Sequence, residues 1–410
     1  MIVLMLCEFF YPFDRGGSEW SVFYLAKGLI NTGHKVTICT PNYGSKKNDL
    51  YNLIRIYRFP FYIKLKKVYS TVTPLVFSTP IWWIYSGFFT VKAILKIKPN
   101  VIHVQGKYFL VAAIIAKLIF KVPIVVTLRD YIPLCPIGFC LSKYPYKSCN
   151  LGHFIFNEIP DYLRTYSSSA NPIFLSVLIV TNIYAKIYSM FLVFLLKRVN
   201  KIVGISFALS SIYRKNSIDI DNVIYNSTDF FTPAKSIPKK YLLYLGRLTP
   251  GKGVDLLIRS YQLASDRYTI PKLLIVGDGI LRTEIKKQKN VSLLGHVKHS
   301  SIRSLFRKAY LTIVPSVWQE PFGRVALESI AHRVPVAGTL RGGLPEIINN
   351  NKTGILVKPE ISQLSNAIIQ LYIQRKRFYF NIKQDYKNLR NKFEKKPIME
   401  YSNIYEHLGN

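Results

Sequence analysis

Residues 316–328 read S-V-W-Q-E-P-F-G-R-V-A-L-E, with the carboxylates Glu320 and Glu328 on either side of a Pro-Phe-Gly turn. Just upstream, residues 311–314 form a short apolar run of strand type. Downstream, Val325, Leu327 and Ile330 recur at helical rather than alternating spacing. The expected order is therefore strand, loop, helix start, helix. Glu320 falls at the end of the loop and Glu328 one to two turns into the helix, turned toward the same cleft. A helix beginning at Gly323 leaves backbone N–H groups pointing at whatever anion lies before it. That arrangement suits a ligand with phosphates in its middle and hydroxyl-rich groups at both ends, as in a nucleotide sugar. Two glutamates at this spacing also occur on many solvated helices, so the surroundings decide.

The same theme recurs on both sides of the stretch. Residues 241–245 read as a strand, 246–253 as a glycine-rich loop and 254–264 as a helix. Residues 272–276 run into Gly277-Asp278-Gly279, and 291–294 into Gly295-His296-Val297. With 335–338 and 354–357, these make about six parallel strands alternating with helices. The loop G-R-L-T-P-G-K-G places Arg247 and Lys252 five apart at a strand end. A pyrophosphate needs such a pair: a guanidinium can bond it bidentately and an ammonium acts as a compact charge.

The first half follows the same grammar. An apolar run at 2–6 leads through a loop to Gly16-Gly17-Ser18-Glu19 and a helix whose Val22, Leu25 and Leu29 repeat every three or four residues. Further strands are expected at 35–40, 54–59, 101–104, 123–128, 201–206 and 223–229. Polar residues follow these runs, where parallel strands end at a cleft: His103, Gln105 and Gly106 after one, Arg129 and Asp130 after another. His103, Gln105 and Asp130 are the acceptor-side candidates. The expected fold is α/β, with two Rossmann-like domains facing each other across a cleft. They are placed at 1–200 and 201–396, with a helix at about 397–410 packing back on the first. A Pro- and Lys-rich connection is read around 232–240.

Composition narrows the function classes. The 410 residues carry a net charge of +34 and a pI near 9.9, a field that attracts nucleic acid, anionic headgroups or phosphorylated substrates. The charge is spread along the chain, and no helix-turn-helix, zinc-finger or RNA-binding signature accompanies it, so no nucleic-acid partner is expected. A basic membrane- or nucleic-acid-binding protein without catalytic activity is the runner-up. Residues 1–7 lack a basic start and a small-residue cleavage site, so no signal peptide is expected, and an odd count of five cysteines fits a reducing cytosol. Cys135, Cys140 and Cys149 with His153 have spacings open to zinc, but no C-x-x-C pair is present and an ordinary loop is expected. Two long apolar stretches, 75–91 and 172–196, are read as faces dipping into an anionic membrane surface, beside Lys64, Lys66 and Lys67. Burial in an apolar domain is the other reading. Peripheral attachment to the cytoplasmic face of the cell membrane is expected.

The second half closely resembles the retaining glycosyltransferases of family 4, which have the two-Rossmann GT-B fold. The resemblance rests on Y-L-G-R-L-T-P-G-K-G, L-L-I-V-G-D-G, L-L-G-H-V, V-P-S-x-x-Q-E-P-F-G-R-V-A-L-E and G-G-L-P-E. The first half is similar more loosely, through G-G-S-E, V-I-H-V-Q-G, D-Y-I-P-L-C-P, V-G-I-S and Y-N-S-T-D. It implies that Arg247 and Lys252 hold the donor diphosphate and stabilise the leaving group, while Glu320 bonds hydroxyls of the donor sugar. Main-chain N–H groups of Phe322, Gly323, Arg324 and Val325 would meet sugar and phosphates, and Glu328 would bond the ribose hydroxyls. Gly295 and Val297 would frame the base, and Gly17 would let the first domain approach the donor. The resemblance implies a nucleotide-diphosphate sugar as co-substrate, a lipid-linked or glycan acceptor, and no metal or other cofactor. Two positions depart from the pattern: Gln105 and Arg129 stand where similar proteins often have histidine. Gln105 cannot take a proton at neutral pH, which suits a mechanism in which the leaving phosphate accepts it.

Overall fold

A computed structural model describes residues 1–13, 16–45, 48–65, 72–137, 150–166, 171–231, 238–285 and 288–409. The chain divides into two compact units, Met1–Ser227 with Lys395–Asn410, and Thr228–Glu394.

Among the described residues, the first unit holds eight strands: β1 Ile2–Leu6, β2 Lys35–Asn42, β3 Asn48–Tyr51, β4 Ile54–Pro60, β5 Val101–Val104, β6 Ile124–Leu128, β7 Lys201–Gly204 and β8 Asn222–Val223. They lie in the order β3-β4-β2-β1-β5-β6-β7-β8, parallel except for the antiparallel β3–β4 pair at the edge. Val3, Leu4, Met5 and Leu6 are all fully buried. A parallel sheet covered on both faces selects such unbroken apolar runs. Its main helices are α1 Gly17–Asn31, α2 Pro80–Ile97, α3 Leu110–Phe120 and α4 Pro172–Leu196. The apolar stretch at 75–91 is broken at Thr79-Pro80. The Thr79 hydroxyl accepts from the Trp82 N–H at 3.3 Å, and proline at the first helical position starts α2 there.

The second unit holds β9 Tyr241–Leu245, helix α5 Val254–Arg267, β10 Leu273–Val276, β11 Val291–Gly295, β12 Ala309–Val314, helix α6 Arg324–Ala331, β13 Val336–Thr339, β14 Gly354–Val357 and helix α7 Ile361–Ile373. All six strands are parallel, in the order β11-β10-β9-β12-β13-β14. Its core joins Leu257, Tyr261, Leu364 and Leu371 from α5 and α7 to Leu242, Ile275 and Ile313 of the sheet. The last helix, α8 Lys396–Gly409, belongs to the first unit, where it packs on α1 and β5.

The division at residue 200 is corrected to 227/228. β7 pairs with β6 in parallel register, Val125 with Lys201 through Leu128 with Gly204, so it extends the first sheet instead of opening the second. The strand expected at 223–229 shortens to Asn222–Val223, because β7 offers it only the edge at Val203 and Gly204. Lys66, Lys67, Cys140, Cys149 and residues 232–237 of the expected connection lie outside the described residues.

Candidate active site

In the second sheet, β9 and β12 are neighbours whose following segments leave to opposite sides, the switch point where open α/β sheets bind ligands. The loop after β9 and the loop after β12 meet there. Lys252 Nζ lies 2.8 Å and 3.0 Å from the two oxygens of Glu320. The same carboxylate accepts from Ser316 Oγ and from Trp318 Nε1, both at 2.9 Å, while Lys252 also sits 4.8 Å from the Trp318 ring centroid. Burial raises the Glu320 carboxyl, but the Lys252 ammonium and these hydrogen bonds outweigh it and hold the group below its ordinary value. Glu320 is therefore an anion fixed in one orientation, and Lys252 keeps donor capacity for a second anion.

The loop conformation depends on glycine. Gly253 has φ 71°, and a Cβ there would overlap the Pro315 carbonyl, so only glycine lets the Lys252 loop approach the end of β12. Arg247 is exposed, with its carbonyl bonded by the Tyr244 hydroxyl at 2.8 Å. The Tyr244 phenol is raised by burial first, further by Glu320, and lowered by Arg247, so both charges act on this one group.

Gly323 stands before α6 at φ 99°, where a Cβ would run into Leu344. Gly323 at the N-cap offers no side chain to cap this helix, whose first N–H groups emerge at the end of the β12 loop without intrahelical partners. Phe322 is buried beneath them, and Val325 packs on the cluster around Tyr241 and Phe306. One turn on, Glu328 Oε1 lies 2.8 Å from Arg324 Nε; Glu328 is buried and Arg324 half-buried. Burial raises the Glu328 carboxyl despite the opposing pull of Arg324. Gly295 ends β11 at φ 76° and its carbonyl accepts from Gly277 N at 2.9 Å, while Val297 is half-buried on the same cluster as Val325. All of the donor-side candidates except Gly17 thus sit on one unit.

The first unit treats its candidates differently. His103 is fully buried, with Nδ1 2.5 Å from the Tyr405 hydroxyl and Nε2 2.7 Å from Thr127 Oγ1. Burial, then the charge of Arg129, hold it well below the ordinary histidine range. Its partners are Tyr405 of α8, Thr127 of β6 and Gln105, whose Nε2 lies 3.0 Å from the ring's Nδ1 and 3.1 Å from its Nε2, so the ring is bonded within the first unit. Gln105 is also buried; its carbonyl accepts from Arg129 Nε at 3.1 Å, and Arg129 donates on to Asn226. Asp130 is held by Lys107 Nζ at 2.5 Å. Burial pulls Lys107 down, yet Asp130 outweighs it and leaves the ammonium raised. Gly17 is the first residue of α1, and the positive φ, 153°, falls on Gly16.

Sequence reasoning missed several participants. Trp318 and Ser316 as partners of Glu320 carry no local signal, because a loop has no side-chain period. The Arg324–Glu328 pair was readable from its four-residue spacing on a helix. Glu8, after β1, accepts from Tyr108 N at 2.6 Å and is raised by burial against the pull of Lys107. It lies where β1 and β5 diverge, the first sheet's own switch point. Among the described cysteines, Cys135 is buried with Sγ 3.7 Å from Glu158, whose other oxygen lies 3.9 Å from His153 Nε2.

Two doubly wound parallel sheets in tandem, with paired charges at a switch point, define a GT-B glycosyltransferase architecture. Known proteins agree. Residues 15–229 match Glycosyltransferase Family 4, and residues 227–395 match Glycosyl transferases group 1. The chain belongs to the family 4, group 1 glycosyltransferases. The phosphatidylinositol N-acetylglucosaminyltransferase GPI3 subunit of Saccharomyces cerevisiae is 24% identical over 89% of this chain and 74% of its own length. The corresponding gpi3 subunit of Schizosaccharomyces pombe is 24% identical over 93% of this chain and 76% of its own. Among solved structures, sucrose-phosphate synthase of Thermosynechococcus elongatus superposes with a TM-score of 0.70 at 18% identity, covering 99% of this chain and 98% of that one. HepE of Anabaena, solved with UDP and glucose, gives 0.66 at 18% identity over 100% and 99%.

Proposed function

We propose that this protein moves a hexose from a nucleotide-diphosphate sugar to a lipid-linked or cell-surface glycan acceptor, with retention of configuration and without a catalytic metal. It acts from the cytoplasmic side, at an anionic membrane surface. The carrying observation is the Lys252–Glu320 pair at the β9/β12 switch point, beside exposed Arg247 and the uncapped start of α6. The yeast relatives, named for N-acetylglucosaminyl transfer to phosphatidylinositol, support a lipid acceptor, and the HepE complex with UDP supports a nucleotide donor.

In this reading the bond from the anomeric carbon to the diphosphate breaks, and the leaving oxygens gather negative charge beside Arg247, Lys252 and the α6 N–H groups. Glu320, already oriented by Ser316 and Trp318, accepts hydrogen bonds from hydroxyls of the donor sugar. Glu328 receives the ribose hydroxyls; Gly295 and Val297 border the base. The acceptor oxygen attacks on the face the diphosphate leaves, and its proton passes to a leaving phosphate oxygen. Neither His103, held within the core, nor Gln105, held by Arg129, takes that proton. Asp130 and Gln105 remain acceptor-side positioning groups.

A panel of nucleotide sugars screened by thermal stabilisation should pick out one donor. With that donor, the anomeric proton coupling of the product should report retention, and added EDTA should leave the rate unchanged. Inversion at the anomeric carbon, or no stabilisation by any donor, would overturn the reading.

A further inference from the structure

The first unit presents an apolar face that its own core does not use. α4 is long and apolar enough to cross a membrane by length and composition, yet only 22% of its most apolar stretch is buried. Its exposed positions Ile173, Val177, Val180, Tyr184, Ile187 and Phe194 fall three, four or seven apart, a single stripe along the helix. The other side is fastened to the unit. Tyr188 stacks on Trp83 of α2 with centroids 5.7 Å apart, and Lys186 is buried with Nζ donating to the Leu134 carbonyl at 2.7 Å. α2 carries the outward surface on through Ile81 and Ile84, 76% and 74% exposed, and Phe88. Packed against both helices, α3 ends it with exposed Leu118 and Ile119. Contiguous exposure of this kind marks an interaction surface.

Charge identifies the occupant. Residues 80–121 and 171–201 contain no aspartate or glutamate. Cations rim the apolar centre instead. Lys92 lies 4.5 Å from the Phe88 ring centroid, Arg198 3.6 Å from that of Phe194, and Lys96, Lys98, Lys121 and Lys197 are exposed. Aliphatic and aromatic groups at the centre with an unrelieved cationic rim match an acidic phospholipid interface: the apolar chains enter the acyl boundary and the stems of the lysines reach back to phosphate. α4 is held alongside the unit through its second half, by Lys186, Tyr188 and Leu192, and leads within a few residues into β7 of the sheet. Its stripe can meet lipid along its length only if the helix lies in the interface. We propose that α2, α3 and α4 dock the first unit on an acidic bilayer, with α4 lying in the membrane plane and no segment of it crossing.

The test is flotation of the full-length protein with phosphatidylcholine vesicles, with and without phosphatidylglycerol. The protein should float with the acidic vesicles about tenfold better than with neutral ones, and salt should weaken the acidic component. Replacing exposed apolar residues (Ile84→Glu with Phe88→Glu, or Ile187→Glu with Met190→Glu) should abolish flotation while the melting temperature stays unchanged. The charge reversal Lys92→Glu with Lys96→Glu and Lys197→Glu is the second variant, and should remove the preference for acidic lipid. Wild type remaining in the aqueous fraction, or either variant floating as well as wild type, overturns the proposal. Resistance of the wild type to alkaline carbonate would mean a crossing helix. A solution dimer that the glutamate variants split would mean that a second copy covers the face; both refute it. Glycosyl transfer to a soluble acceptor, measured separately, is independent of the outcome.

Discussion

The two units are built from the same β-α-β grammar, yet the polar residues at their strand ends are held in different ways. After β9 and β12 the side chains are formally charged, oriented by neighbours, and beside an uncapped helix start: Lys252, Glu320 and the exposed Arg247. In and just after β5, His103 and Gln105 are bonded within the unit, while Glu8, Lys107 and Asp130 carry charge near its own switch point. His103 fastens α8 through Tyr405, and Gln105 is bonded by Arg129. The contrast teaches that a polar residue on a strand is open to a ligand only if no packed element covers it. In the first unit His103 is covered by α8, the last helix in the chain, through Tyr401 and Tyr405.

Mutation puts that contrast at risk most directly in the second unit. Lys252→Ala and Arg247→Ala should each lower turnover about 10²–10³-fold with folding intact, the usual loss for one donor to developing negative charge. Near-normal transfer by either would remove the electrostatic account. Glu328→Ala should weaken donor nucleotide binding by about ten- to hundredfold, the loss of charge-assisted hydrogen bonds. Glu320→Ala should act chiefly on sugar positioning. Calorimetry separates the two: equal nucleotide affinity for wild type and the Glu328 variant would argue against ribose contact.

In the first unit the expected damage is to stability. His103→Ala leaves the buried Tyr405 hydroxyl without its partner and should cost about 1–3 kcal/mol in urea unfolding, with turnover near wild type. A His103 variant as slow as the Lys252 one, at unchanged stability, would reinstate a substrate-facing role. The smallest effect concerns pH. His332, lowered to about 4 chiefly by burial, and His103, held well below the ordinary histidine range by burial and then by Arg129, are neutral in the folded protein. Below about pH 6.5 the unfolded chain binds protons on them that the folded chain does not, so stability falls as the pH drops from there toward 4. Each contributes a slope of at most about 1.4 kcal/mol per pH unit. Melting curves of His332→Gln against wild type from pH 7.5 downward should show the shallower decline in the variant.

Local order was legible without coordinates wherever neighbours in the chain carry it. The six strands of the second sheet, the G-R-L-T-P-G-K-G loop and the turn between Glu320 and Glu328 are all short-range patterns. Backbone sterics, helix period and glycine at forced φ tie them to conformation, which is why Lys252 and Glu320 could be named, though not their direct contact. Pairing between distant segments was not legible. β7 reads equally well as an end or a beginning, and only its hydrogen bonds to β6 assign it to the first sheet. The histidine of V-I-H-V is identical on paper whether it faces a ligand or Tyr405, which lies three hundred residues away. Hydropathy marked 172–196 as apolar but not as exposed, because transfer free energy depends on what finally covers a side chain. That covering is a property of the folded chain alone: contacts made across long sequence separations decide which of many apolar and polar groups are taken from water, and no window of neighbouring residues contains them.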